Sequence, residues 1–162
     1  MGYNACFYCA GISSLGISKE GYVHFTHDTT LAVAQKLARL NPNMVFCYVT
    51  GAGTDSTERG RSHWARVKGQ TENELLRLPF RAAYMFRPGF MRPTPGQRHA
   101  QKAYKYLDWL YPILRRLMPK YVSTMQEVGT AMLKAVKQGY PKPVLEVPDI
   151  VALAHANSLA HS

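Results

Sequence analysis

Cysteines, acidic residues and long apolar segments are all scarce in this chain of 162 residues. The three cysteines, Cys6, Cys9 and Cys47, are an odd number and lie in apolar runs typical of buried strands, which argues against a disulfide framework and favours a reducing cytoplasm. No apolar run approaches the roughly 18 residues of a membrane span, and no secretory leader is recognisable. The absence of internal repeats excludes a solenoid.

The shortage of acids leaves a net charge of +10, from twenty Lys and Arg against ten Asp and Glu. The excess is local, because residues 59–120 contain fourteen Lys or Arg and only three acidic residues. Such a positive field attracts phosphate, whether on a dinucleotide, a nucleic acid or an anionic lipid surface. A solvated basic face is the fourth interpretation, and composition does not separate the four.

Apolar patterning predicts alternating strands and helices within one domain. Short continuous apolar runs bounded by loop residues indicate buried strands over Ala5–Gly11, Met44–Val49 and Arg81–Arg87. Between them, apolar residues recur at helical spacing over Ser18–Leu40 and His63–Leu78, each stretch being followed by a proline-containing break. Strand, helix and strand in this order predict a parallel sheet of at least three strands with crossover helices.

The second half of the chain is predicted to be more varied. A turn-rich loop follows the third strand, and Lys102–Tyr121 forms a basic, aromatic helical stretch that suits a lid, a packing helix or a membrane surface. A further helix is expected over Thr124–Gln138. Val144–Ile150 is expected to be an edge strand, because Pro148 is unwelcome in a central one.

Three glycine-containing segments follow the three predicted strands. They are Ala10-Gly11, Thr50-Gly51 and Pro88-Gly89-Phe90. Ligands of open parallel sheets bind beyond the carboxyl ends of the strands, and glycine lets a ligand approach the backbone closely. On the second helix Trp64 and Lys68 are four residues apart and share one face. The sequence therefore predicts a ligand cleft there, lined by Gly11, Thr50, Lys68 and Pro88.

Three segments carry a family resemblance that spans about Ala5 to Ile150. They are Val49-Thr-Gly-Ala-Gly53, Trp64-Ala-Arg-Val-Lys-Gly69 and Phe86-Arg-Pro-Gly89. In this order the chain resembles the atypical or extended short-chain dehydrogenase/reductase superfamily, which includes NAD-dependent epimerases and dehydratases. The resemblance implies an α/β fold, a partial Rossmann-like parallel sheet with flanking helices, in one NAD(P)-binding-like domain over residues 1–162.

The resemblance also assigns residue roles around NAD or NADP. Lys68 would bind the ribose hydroxyls, and Thr50 would take the place of a catalytic serine near the end of the second strand. The cofactor-binding set implied is Ala10, Gly11, Thr50, Gly51, Lys68, Pro88, Gly89 and Phe90, with Thr50 and Lys68 as the catalytic pair. His24 and His27 lie three apart but have no evident further ligand, so we expect no metal site.

Two features depart from the family pattern. Trp64 stands where the family has its catalytic tyrosine, and an indole N–H neither donates nor accepts a proton near neutral pH. The family's Gly-x-x-Gly-x-x-Gly turn is absent, which predicts a domain truncated at its N-terminal side and a strand over Ala5–Gly11 with an open edge prone to self-association. We expect this chain alone to bind dinucleotide weakly and to reduce carbonyl compounds negligibly.

The resemblance implies an oxidoreductase or epimerase-like protein that acts on a small-molecule substrate in the cytoplasm, with impaired catalysis. A non-catalytic nucleotide-binding or interaction module is the alternative. A basic nucleic-acid or membrane-surface binder is a third hypothesis, and it predicts that the Lys and Arg of residues 59–120 gather on one exposed face. No nucleic acid is expected as a partner under the first hypothesis.

Overall fold

The computed structural model describes residues 2–92, 116 and 121–156. The chain divides into two compact units, one formed by residues 1–87 and 141–144 and the other by residues 88–140 and 145–162. Each unit is an assembly of strands and helices, so the α/β class is confirmed. The expectation of one domain over residues 1–162 stays a prediction.

The first unit is built on a parallel sheet. Strand β1 (Ala5–Tyr8) pairs with β2 (Val45–Val49), and β2 pairs with β3 (Ala82–Arg87), both in parallel. The strand order of the sheet is β1-β2-β3-β6, and of the fourth strand, β6 (Val144–Glu146), Val144 belongs to this unit. The predicted Rossmann-like parallel sheet with flanking helices is confirmed.

The burial of the side chains reflects the central position of β2 and the peripheral position of β1 in the sheet. Phe46 and Cys47, adjacent in β2, are both fully buried, as expected for a parallel strand covered on both faces. In β1, Phe7 is 41% exposed. β1 ends at Tyr8 rather than at Gly11, so Cys9, predicted to be part of a buried strand, is exposed beyond the strand end.

The helical segment between β1 and β2 is interrupted. It consists of α1 (Lys19–Val23), a π-helical turn (His24–Asp28) and α2 (Thr29–Leu40). Its start follows from Ser18, whose hydroxyl accepts the N–H of Gly21 at 3.0 Å. The predicted helix over Ser18–Leu40 is thus confirmed in extent, but the π-helical turn was not predicted.

The helix between β2 and β3 is α3 (His63–Leu75), which ends before the predicted Leu78. The hydrophobic core of the unit joins this helix to α2 and the sheet. Its buried members are Leu31, Ala34, Phe46, Tyr48, Leu75 and Met85. Both crossover helices therefore cover the same face of the sheet, as expected when successive crossovers move in one direction across it.

The described part of the second unit includes a small parallel pair of strands and the helices α4 and α5. Strand β4 (Phe90–Arg92) pairs with β5 (Val122–Thr124), which leads into α4 (Met125–Gln138). Helix α5 (Val147–His155) replaces most of the strand predicted over Val144–Ile150.

That strand prediction is wrong beyond Glu146. Pro148 lies in the first turn of α5, where a missing N–H costs nothing because first-turn donors have no intrahelical acceptor. The predicted helical stretch Lys102–Tyr121 falls almost entirely outside the described residues. Within the described part of the chain, no helix combines the length and apolar character that crossing a membrane requires.

Candidate functional site

The residue after β2 is tied to the neighbouring strand end. Thr50 donates its N–H to the carbonyl of Phe86 at 2.8 Å, so the chain leaves β2 still paired with β3. Thr50 is 7% exposed. It lies at the carboxyl end of the parallel sheet, which is the end at which open sheets of this kind bind ligands.

Lys68 reaches this strand end from α3. Its Nζ donates a hydrogen bond of 2.7 Å to the carbonyl oxygen of Thr50, which uses one of the three ammonium donors. Burial lowers the pKa of Lys68, and the negative charge of Glu72 partly counteracts that effect. The predicted pair of Thr50 and Lys68 is therefore brought together, through a main-chain oxygen that no motif specified.

Trp64 lies one helical turn from Lys68, as their spacing predicts. The Nζ of Lys68 is 6.0 Å from the centroid of the indole ring, at the outer limit of a cation–π contact. The far edge of the ring faces Gly53, whose φ of +86° suits glycine and whose missing Cβ would lie 3.5 Å from the ring. Trp64 thus fills the space between α3 and the segment after β2.

The hydroxyl of Thr50 is already committed. It donates to Oε1 of Glu72 at 2.6 Å, which is shorter than its 3.2 Å approach to the carbonyl of Phe86. A hydroxyl has one proton, so Thr50 cannot donate to a substrate carbonyl while the bond to Glu72 stands. Its assignment as a catalytic residue stays a prediction, and it requires this bond to break.

Glu72 and Arg87 form a buried ion pair that sequence analysis missed. Glu72 is 1% exposed and Arg87 7% exposed. Arg87 Nε lies 3.1 Å from each carboxylate oxygen, and its Nη2 also donates to Oε2 and to the hydroxyl of Ser56. The signal available in the sequence was an acidic residue one turn beyond Lys68 and an arginine at the end of a strand.

The loop of residues 51–61 is fastened to α3. Asp55 donates its N–H to the carbonyl of Ala65 at 3.0 Å, and its carboxylate accepts N–H groups of Thr57 at 3.0 Å and Gly60 at 2.6 Å. The hydrogen bonds from Thr57 and Gly60 lower the pKa of Asp55. Gly69 allows this contact, because a Cβ there would overlap the carbonyl of Asp55.

The remaining predicted residues are distributed over both units. In the first unit Ala10 and Gly11 are exposed after β1, and Gly51 is half-buried next to Thr50. In the second unit Pro88 is buried, and Gly89 and Phe90 are half-buried. A Cβ on Gly89 would overlap the carbonyl of Tyr121, so this glycine has a packing role within its own unit.

His27, in the π-helical turn, contacts two carboxylates. Nδ1 of His27 lies 2.8 Å from Asp28 and Nε2 lies 3.0 Å from Glu74, which joins the π-helical turn to α3. Across residues 2–92 and 121–156, no three His, Cys, Asp or Glu side chains group as metal ligands would.

Comparisons with known proteins leave the site to be interpreted from its own geometry. No model of a known protein family matches the chain, and no curated protein matches it in sequence. The contacts of Lys68, Thr50 and Trp64 therefore carry the functional interpretation.

Proposed function

We propose that the chain is a NAD(P)-binding protein of the short-chain dehydrogenase type, an oxidoreductase or epimerase-like protein with an impaired proton relay. One observation carries the proposal. The ammonium group of Lys68 is held by the carbonyl of Thr50 at the carboxyl end of a parallel sheet, one turn along α3 from Trp64. Folds of this kind bind ligands at this edge of the sheet, and a fixed cation there suits a polar ligand.

The donor set suits the ribose end of a dinucleotide. After its bond to Thr50, the ammonium of Lys68 has two donors left, which match a pair of neighbouring ribose hydroxyls. The buried position of Lys68 strengthens such hydrogen bonds, because the local dielectric is low. When bound, the nicotinamide ring of the cofactor would supply hydride transfer.

The same geometry favours a second candidate, a non-catalytic nucleotide-binding module. Trp64 offers an indole N–H, which does not transfer protons near neutral pH. The hydroxyl of Thr50 is engaged by Glu72 at 2.6 Å. These residues bind and orient a ligand, but they do not provide a group that moves a proton to a substrate carbonyl.

Calorimetric titration with NADH and with NADPH tests binding. We expect weak binding by the wild-type chain and binding by Lys68→Met that is weaker by about 10- to 150-fold, since a hydrogen bond to a charged group is worth about 1.5–3 kcal/mol. Lys36→Met is the matched control, because Lys36 is an exposed lysine of α2 in the same unit. Equal affinities of the wild type and Lys68→Met would contradict the proposal.

Turnover separates the two candidates. Assays of NADH and NADPH oxidation over a panel of carbonyl compounds should show negligible rates for the wild type, because no proton-transfer group occupies the position of Trp64. Robust turnover would contradict the impaired relay and favour an active oxidoreductase. Nucleotide binding without turnover is the outcome expected of a binding module.

Partners and location belong to the same proposal. A small-molecule substrate follows from the resemblance, and a cytoplasmic location is inferred from three unpaired cysteines. Self-association is supported by the position of β1 at the end of the sheet order, with Phe7 41% exposed. Sedimentation analysis at increasing protein concentration tests it, and a monomer throughout would reject it.

A further inference from the structure

Thr50 is held through all three of its polar groups. Its N–H donates to Phe86 at 2.8 Å, its hydroxyl donates to Glu72 at 2.6 Å, and its carbonyl accepts from Lys68 at 2.7 Å. The carbonyl that anchors Lys68 therefore belongs to a residue whose side chain is fixed by Glu72. The position of the ammonium group depends on a carboxylate that it does not contact directly.

Glu72 is itself held by a permanent charge. Arg87 approaches both carboxylate oxygens, with Nε at 3.1 Å from each. Arginine stays protonated at any pH at which proteins fold, so Glu72 faces a fixed positive partner in a buried environment. Removal of either partner alone would leave an uncompensated buried charge.

The charge of Glu72 also acts on Lys68. The two residues are four apart in α3 and so lie on the same helix face. Burial lowers the pKa of Lys68, and the carboxylate of Glu72 opposes this by favouring the ammonium form. Tyr48, on which the charge of Glu72 also acts, stays neutral because burial raises its pKa.

We propose that Glu72 is a positioning residue that, braced by Arg87, fixes the carbonyl of Thr50 opposite Lys68 and places a negative charge on the helix face that carries this lysine. The part that concerns a dinucleotide depends on the function proposed above. The part that concerns the charge and position of Lys68 does not, and the two parts are measured separately.

The charge state of Lys68 can be followed by NMR. The pH midpoint of its ε-carbon resonance is measured in the full chain, and the resonance is identified by its loss in Lys68→Met. In Glu72→Gln the amide oxygen can still accept from Thr50 but the charge is gone, so we expect the midpoint to move to lower pH. Glu74→Gln, a change on the same helix at a carboxylate that contacts His27 and Gln70, should leave it at the wild-type value.

A double variant provides a second measurement in case Glu72→Gln fails to fold. Because Glu72→Gln leaves Arg87 buried without its partner, Glu72→Gln/Arg87→Met removes both charges together and is expected to fold. The midpoint of Lys68 should fall less in this variant than in Glu72→Gln, because the positive charge of Arg87 is removed as well. An unchanged midpoint in both variants would overturn the proposal.

Dinucleotide affinity supplies the second readout. Glu72→Gln should bind NADH or NADPH about tenfold more weakly than the wild type, since a misplaced ammonium loses a charged hydrogen bond. Glu74→Gln should bind as the wild type does. If the wild type binds neither dinucleotide, the proposed function fails while the NMR midpoints still decide the role of Glu72. If the wild type binds and Glu72→Gln binds equally well, the positioning role is rejected.

Discussion

Gly69 lies where α3 packs against the loop of residues 51–61, and its replacement by alanine tests that packing. A Cβ at Gly69 would overlap the carbonyl oxygen of Asp55. The loop is not free to withdraw, because Asp55 donates its N–H to Ala65 at 3.0 Å and Ser56 accepts from the side chain of Asn73 at 3.0 Å. The added methyl group must therefore displace the backbone of the loop or of the helix.

The cost of overpacking at Gly69 is expected to exceed the gain from the higher helix propensity of alanine. In an open helix interior, Gly→Ala stabilises by about 1 kcal/mol. At Gly69 we expect overpacking to cost about 1–3 kcal/mol, and loss of the hydrogen bond between Asp55 and Ala65 to cost about 1 kcal/mol more. Gly69→Ala should therefore lower the free energy of unfolding by about 1–3 kcal/mol, which at this size lowers Tm by about 2–4 °C per kcal/mol.

Gly129 provides the matched control. It is an exposed glycine inside α4, and a Cβ there would meet no atom within 4 Å. Gly129→Ala should raise the free energy of unfolding by up to about 1 kcal/mol. Urea denaturation followed by circular dichroism measures both variants. If Gly69→Ala stabilised the protein as Gly129→Ala does, the close approach of α3 to the loop would be refuted.

Three further changes test other contacts. Burial lowers the pKa of His27, but hydrogen bonds and charges of Asp28 and Glu74 outweigh it and raise the pKa overall. The stability that His27 adds is therefore complete below about pH 6.5 and is lost as pH rises through the raised pKa of the folded state. Urea titrations should show that the difference in free energy of unfolding between the wild type and His27→Gln becomes smaller as pH rises. A difference that grows with pH would contradict this sign. Trp64→Tyr should raise NADH-dependent carbonyl reduction above the wild-type rate and Trp64→Phe should not, and equal rates in both would show that no relay through the helix survives. Thr124→Ala removes a helix cap and should cost about 1 kcal/mol in thermal unfolding, whereas an unchanged Tm would contradict the capping role.

Local patterning was sufficient to predict the sheet. The apolar runs that became β1, β2 and β3 are each bounded by polar or glycine-containing loops, and helical periodicity separates them. Both properties are encoded by residues near one another in sequence, so parallel pairing followed without knowledge of contacts. The proximity of Trp64 and Lys68 was equally predictable, because residues four apart share a helix face.

The ends of the strands and helices, and the departures from regular helix, depended on competing local effects. The apolar run of Ala5–Gly11 gave no sign that the strand would end at Tyr8. Pro148 was interpreted as a strand-edge residue, although proline suits the first turn of a helix equally well. The π-helical turn at His24–Asp28 has no sequence signature of its own, since it inserts one residue into an otherwise regular helical pattern.

The sequence by itself determined that strands and helices alternate, that the sheet is parallel, and that Trp64 and Lys68 face the same side of one helix. Only the tertiary structure decided which groups Lys68 and Thr50 would meet. Thr50 and Glu72 are 22 residues apart, and Glu72 and Arg87 are 15 apart. Periodicity describes neighbours along one element, whereas these partners meet because adjacent strand ends and a crossover helix bring distant residues into one buried volume. Burial of a polar group without a hydrogen-bond partner costs free energy, and the contacts of Glu72 with Arg87 and Thr50 avoid that cost.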